Sequence, residues 1–438
     1  MSSRNEVRIV GGGLAGAEAA FQLAKRGVPV VLYEMRPGRM TEAHKTAQLA
    51  ELVCSNSFKS QSLTTSSGLL KAELLAYGSV LLSIAHETRV PAGTALAVDR
   101  VKFADRVEGR LLGEKRVRVV RQEIERPEPG EPVVIASGPL TSPALSGWME
   151  EFLGHENLFF FDAISPIVAA ESIDCGKTFL AARYDRGDGL YRNCALTKQE
   201  FEVFREEMLK AELAECHDFD RRAFFEGCLP IEEVARRGAK SLAFGAMKPV
   251  GLVDPETGSM PYAVVQLRPE NLENTMYGLV GFQTRLKIAE QRRVFRMIPG
   301  LERAEFLRYG SVHRNSYINA PVCLLPTFES KVNPNLFFAG QISGVEGYVE
   351  SIGSGLLAGI NAARLVNGLP LLLPPGDTAL GSLCRYISAP TRSAFQPMSF
   401  NFGLLPSMPL RVRGRLRRKE AMASRAMSSA NEWGAVLS

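Results

Sequence analysis

Within its first thirty-odd residues the chain changes hydrophobic period twice. Val7 to Val10 is a short β-branched run suited to a buried parallel strand. Leu14 to Lys25 carries small and apolar residues at helical spacing and is closed by Gly27. Val28 to Tyr33 is a second buried run, ended by Glu34. This order predicts a β–α–β unit. Further on, Leu69 to Ile84 is apolar and long enough for one helix against a sheet, and Val117 to Val120 and Pro132 to Ser137 read as short strands. From about Phe161 to Asn319 the pattern changes. Strand-like pieces at Ser165–Ala170, Tyr262–Leu267 and Tyr277–Phe282 alternate with charged helices at Lys198–Glu215 and Glu290–Met297. From Asn335 to Val366 a strand, a turn at Gly340 and a small-residue helix at Ser351–Leu365 return the chain to its opening style.

The turn after the first strand sharpens this reading. Gly11, Gly13 and Gly16 form a GxGxxG pattern: the first allows a tight turn, the second a close backbone approach to a pyrophosphate, the third close helix-to-strand packing. The free N–H groups of the following helix would face that pyrophosphate. Glu34 stands 18 residues beyond Gly16, where a ribose-binding carboxylate is expected, and an acid there suits FAD or NAD rather than NADP. The late strand–turn–helix, turning at Gly340, favours FAD, with the helix N-terminus near Val349–Ser351 favouring its electron-rich form. Ala136-Ser137-Gly138 resembles a nucleotide-side turn of flavoproteins. The predicted class is α/β: a Rossmann-type FAD-binding domain split by an inserted α+β substrate domain. Its parts are 1–160, 161–320 for the insertion, 321–410, and a basic tail at 411–438.

Composition adds exclusions. No 18-residue uncharged apolar run appears, so no membrane span is predicted. The seven cysteines lack any CxxC and the start lacks an apolar signal core, which predicts free thiols and a cytoplasmic protein. From Arg411 onward seven Lys/Arg outnumber two Glu, so the net charge of +5 resides there and the body is neutral. Such a tail can grip phosphates, but a solvated, flexible terminus is the expectation. In the insertion, Arg221–Lys248 and Arg285–Arg314 are locally basic, and Phe224, Phe225, Phe244, Phe282, Tyr309 and Tyr317 are there to stack on bases or to build a core.

The histidines have no metal-ligand spacing, so no catalytic metal is expected. Cys54, in LVCSNS, and Cys228, in FFEGCLPIEEVARRG, stand out by neighbourhood: nearby cations raise a thiolate fraction.

The stretches GGGLAGAEAA, YEMRP, AELVCSNS, GLLKAEL, RVPAGTALAVDR, FFEGCLPIEE, FGAMKPVGLVDP, HRNSYINAP, FAGQISGVEGYVES and FQPMSFNFGLLP, in this order, closely resemble the folate- and FAD-dependent tRNA (uracil-5-)-methyltransferase family, TrmFO. That family is itself similar to the GidA-type flavoproteins. The resemblance implies FAD reduced by NADH or NADPH, methylene-tetrahydrofolate as one-carbon donor, and methylation of carbon-5 of the T-loop uridine of tRNA. An rRNA uracil or a wobble uridine is the alternative target. It implies Cys228 as the uracil nucleophile and Cys54 as the flavin-side thiol, either a base or a guard of the methylene, with the order of the two roles open. It also places His313, followed by Arg314, at the folate and substrate, and Gly344 and Tyr348 beside the flavin. The oligomeric state is not implied.

Overall fold

In the computed structural model the described residues are 6–437, apart from 42–43, 54–55, 93, 129, 155–156, 182–190, 215–229, 270–273, 391–394 and 409–411; for 159–164 and 311–315 the backbone alone is described. The chain forms two units, residues 1–160 with 315–438, and residues 161–314.

The first unit is built on a parallel sheet of β1 (Val7–Val10), β2 (Val30–Glu34), β6 (Val117–Arg121), β7 (Val133–Ile135) and β16 (Leu336–Phe338), in the order β16-β7-β1-β2-β6. β1, β7 and β16 are almost wholly buried, as sheets covered on both faces require. Thus a strand from the end of the chain pairs beside strands from its beginning. Helix α1 (Leu14–Lys25) makes the first crossover, and α11 (Tyr348–Val366) follows β16. These helices run parallel and very close. A Cβ on Gly355 would lie 2.2 Å from the Ala15 carbonyl oxygen, and one on Gly359 2.7 Å from that of Ala19. The small residues of both helices therefore permit backbone contact that any larger pair would prevent. A small antiparallel sheet of β3 (Ser57–Ser60), β4 (Arg89–Val90) and β5 (Ala95–Val98) joins this unit.

The single helix expected at Leu69–Ile84 is two helices, α2 (Ser66–Ala76) and α3 (Val80–Glu87), bent by 113°. Gly78 takes φ +81° between them, and Ser79 caps α3 by accepting from Leu82 N–H. Buried Glu18 of α1 completes the corner: its carboxylate accepts from Ser79 Oγ, Val80 N–H and Leu81 N–H. Hydrophobicity alone ran across a break made by capping chemistry. No single helix among the described residues is long and apolar enough to cross a membrane.

Around this core lie α4 (Arg100–Gly113), α5 (Pro143–Leu153), α10 (Ala320–Cys323) and α12 (Ala379–Ser388). Glu73 of α2 caps α12 across space, accepting from Ala379 N–H at 2.7 Å and Leu380 N–H at 3.1 Å. Burial outweighs these two donors and pushes its carboxyl from 4.5 up to about 8. The folded state therefore keeps a proton that the unfolded chain releases above 4.5. Stability from this group is present at low pH and falls as pH rises from 4.5 to about 8. Thermal melts across that window should show the decline, and Glu73→Gln should flatten it; an unchanged slope in the variant would refute the assignment.

The tail departs most from expectation. Instead of a solvated terminus it is a 23-residue helix, α13 (Arg415–Leu437). Met422, Ala423, Ala426, Ala430 and Trp433 make a buried stripe, and Trp433 meets Tyr77 edge-on with ring centroids 4.6 Å apart. Arg425 donates to the Ser407 carbonyl and Ser429 to Asp377. Its alanine-rich stripe is amphipathic at helical spacing, a signal that the arginine-rich start conceals.

The second unit is an antiparallel sheet of β9 (Ile167–Ala169), β10 (Thr178–Ala181), β11 (Tyr191–Leu196), β12 (Ala263–Pro269), β13 (Met276–Leu279) and β14 (Phe306–Arg308), in the order β10-β11-β12-β13-β9-β14. Helices α6 (Lys198–Lys210), α7 (Ile231–Arg236), α8 (Ala239–Phe244) and α9 (Ile288–Phe295) accompany it, with Phe201, Phe204, Phe282 and Phe295 in the core. Strands β8 (Leu158–Ile164) and β15 (Ser311–Ile318), paired with each other, carry the chain out to this unit and back.

Candidate functional site

The glycine turn and its surroundings form the best-defined site. At Gly11, φ is +108° and a Cβ would lie 2.4 Å from the Ala136 carbonyl oxygen, so the turn presses against the end of β7. At Gly16 a Cβ would lie 1.9 Å from the Gly11 carbonyl oxygen, which brings α1 directly onto the turn. Gly13 is different: a Cβ there would meet nothing within 4 Å. It is the N-cap of α1, with no side chain satisfying the first-turn N–H groups and no acid in that turn. Open space, unsatisfied donors and the positive helix end together suit an anion, and the diphosphate of a dinucleotide fits them.

Glu34 closes one side of the turn. It is 5% exposed, and its Oε2 accepts from Gly12 N–H at 3.0 Å. Its Oε1 accepts from the N–H and Nε of Arg36, at 3.0 and 2.9 Å. Burial opposes its charge, yet the Arg36 guanidinium and these N–H donors hold it below the ordinary carboxylate range. Arg36, 2% exposed, also reaches the Thr46 carbonyl and Glu51 Oε2 at 3.0 Å. Ala50 N–H donates to the Gly12 carbonyl at 2.9 Å, so the loop after β2 folds back on the turn. Gly12, Arg36 and Glu51 were not singled out from sequence. The only signal was a third consecutive glycine and a cation two residues beyond the acid.

At the other end of the fold, Gly340 (φ +79°) has its N–H bound by Ser354 Oγ at 2.7 Å. Gly344 (φ +88°) packs so closely on Phe395 that a Cβ would lie 2.5 Å from the ring. Helix α11 starts at Tyr348, a turn earlier than expected, and Tyr348 leans on buried Phe58 with centroids 5.9 Å apart. The contacts of Gly355 and Gly359 put the first residue of α1 level with Ser354. The start of α11 thus stands six residues further forward, roughly 9 Å at about 1.5 Å per residue. Two parallel helix ends face the same side, stepped along one line. The second is not bare: buried Glu350 lies in its first turn, its carboxyl raised by burial and accepting from Phe400 N–H at 3.2 Å.

Lys71, in GLLKAEL, is buried with Nζ bound to the carbonyls of Phe58, Ser60 and Ser67 at 2.6 to 2.9 Å. Burial lowers it from 10.5 to about 8. It fastens β3, the strand just after Cys54, to α2.

Cys54 and Cys228 lie outside the described residues, and of His313 and Arg314 only the backbone in β15 is described. Among the described thiols, burial pushes Cys194 and Cys384 up, away from the reactive thiolate. Of the candidate stacking aromatics, Phe282 and Tyr317 are core residues, whereas Phe244 is exposed; Phe224 and Phe225 lie outside the described residues. The basic stretch after Arg285 is partly met by acids: Arg285 pairs with Glu232 and Glu233, Lys287 with Glu212, and Arg293 with Glu207 and Glu290, while Arg292, Arg296 and Arg308 donate to neutral oxygens. Part of the surplus counted along the sequence is met here by acids of α6, α7 and α9 and by Glu212 just after α6.

This fold and turn define a split dinucleotide-binding protein of Rossmann type, with an α+β unit inserted. The sequence matches the family described as Glucose inhibited division protein A over residues 6–370. It is 56% identical over 429 residues to methylenetetrahydrofolate--tRNA-(uracil-5-)-methyltransferase TrmFO of Desulforudis audaxviator, covering 98% of each chain. It is 54% identical to the protein of that name from Geobacter sulfurreducens, covering 98% of this chain and 99% of the relative. The crystal structure of Aquifex aeolicus GidA shares the fold with a TM-score of 0.51 at 18% identity, over 98% of this chain and 73% of that one. The chain belongs to the Glucose inhibited division protein A family and, within it, to the TrmFO group.

Proposed function

We propose that this protein methylates carbon-5 of the T-loop uridine of tRNA. Methylene-tetrahydrofolate is the one-carbon donor, and FAD, reduced by NADH or NADPH, is the cofactor. The observation that carries this reading is the near-complete match, at 56% identity, to a relative named for that reaction. The cradle at Gly11–Gly16 supports it independently, since its geometry fits a dinucleotide.

In this reading the N–H groups at the start of α1 hold the pyrophosphate. Glu34 takes a ribose hydroxyl in place of its longest contact, the 3.3 Å one from Arg36 Nη2. The start of α11 lies about where the far end of the dinucleotide reaches, so Gly340, Gly344 and Tyr348 belong to the flavin side. Bound there, FAD supplies the reducing equivalents and a carrier for the methylene. Cys228 is the nucleophile at carbon-6 of the uracil, and Cys54 the second thiol. His313 and Arg314 serve the folate and the RNA.

The test is a T-arm transcript incubated with the purified yellow protein, NADH and methylene-tetrahydrofolate, with the uridine mass read by mass spectrometry. 5-Methyluridine at the T-loop position is expected. Flavin that is bound and reducible, with no methylated product, would sink the proposal.

A further inference from the structure

We propose that the first turns of α13, with Arg413 just before them, form a docking surface for the RNA phosphate backbone on the dinucleotide-binding unit. The inference rests on the tRNA reading above and says which face the RNA meets. The sequence left this basic stretch without a place, and the helix supplies one. Its C-terminal half is anchored by the Ala426–Ala430–Trp433 stripe, by Arg425 on the Ser407 carbonyl and by Ser429 on Asp377. Toward the start of this seated helix Arg413, Arg415 and Arg417 are exposed. On a helix, Arg415, Arg418 and Lys419 share a face. No acid lies in the first turn, so the positive end of the helix dipole and the arginines there both favour a bound phosphate.

The patch is also well placed. Lys419 Nζ lies 5.4 Å from the centre of the Phe402 ring, and Phe402 neighbours Phe400, with ring centroids 6.1 Å apart. Phe400 N–H donates to Glu350 in the first turn of α11, and Met398 N–H to the Gly344 carbonyl. The stretch that carries Phe402 therefore lies against the start of α11, the flavin end of the site. An RNA seated on the arginines would pass beside that end. The charge balance agrees: the whole net charge of +5 resides in the last 28 residues, so the field that attracts a polyanion starts from this helix.

The test compares full-length unmodified tRNA binding to wild type and to Arg413→Ala/Arg415→Ala/Arg418→Ala between 50 and 200 mM salt, with circular dichroism melts confirming that the variant folds. Arg413 and Arg415 are exposed and Arg418 is half-buried, so the melt should shift by no more than a few degrees. The dissociation constant at low salt should rise by about tenfold or more, and the slope of log affinity against log salt should become shallower by about 2 to 3. The matching triple lysine variant, which keeps the charge, should bind within about threefold of wild type. Equal binding and equal slope in the alanine variant overturn the surface while leaving the functional reading intact. Wild type that binds no tRNA even at 50 mM salt overturns both.

Discussion

Cys228→Ala should reduce 5-methyluridine formation by about 10³-fold or more, leaving flavin content and its reduction by NADH unchanged. Carbon-5 of uracil is a poor nucleophile. A thiolate adding at carbon-6 pushes electron density through the ring to carbon-5, which then bonds to the methylene carbon. The carbon-5 proton must leave to a base before the carbon–sulfur bond can break and release the thiol. Each event needs the sulfur, so its loss cannot be partly compensated by binding. Cys54→Ala separates the two roles left open by sequence. If Cys54 is the base, the addition at carbon-6 proceeds and stalls, and a protein–tRNA adduct that survives denaturation accumulates. If Cys54 only guards the methylene, product falls without such an adduct. Full activity in Cys228→Ala would remove this residue from the nucleophile's role and transfer the question to Cys54.

The dinucleotide unit was legible because its demands are local. A tight turn, a close approach and close helix-to-strand packing each require glycine, and the three requirements fall within six residues. The return of the chain at Asn335 was legible for the same reason, since β16 and α11 repeat the buried strand and small-residue helix. What stayed hidden depends on partners far apart in sequence. Glu18 and Glu73 carry no signal of their own in the sequence, yet each is buried and caps another helix. The break at Gly78 follows from one such cap. In the second unit, the acids that meet Arg285 and Arg293 come from separate helices, so a count along the chain does not show which of its cations are offset. In the tail, charge at its start drew attention from an alanine–tryptophan stripe that gives it a seat. For the two cysteines, neighbourhood made them candidates and only the family resemblance gave them roles.

Glu34 carries the second large effect, and the structure changes its meaning. As a ribose ligand alone, its removal would only loosen FAD. In the fold it also holds Gly12 N–H and compensates most of a buried guanidinium. Glu34→Ala leaves Arg36 with Glu51 and one carbonyl as partners, and leaves the Gly12 N–H without its acceptor. Breaking a buried ion pair from one side costs about 3–5 kcal/mol. The alanine variant should therefore melt at a clearly lower temperature even as apoprotein and purify colourless. Glu34→Gln keeps an acceptor for Gly12 but loses the charge, so it should recover part of the stability and little of the flavin. The double variant Glu34→Ala/Arg36→Met removes the orphaned cation as well. It should regain stability over Glu34→Ala while staying colourless, because the ribose contact is still missing. Melting curves of the four apoproteins, set beside flavin content from absorbance, decide the matter. Unchanged flavin retention in Glu34→Ala would mean that the carboxylate serves Arg36 and the turn, and that the ribose is held elsewhere.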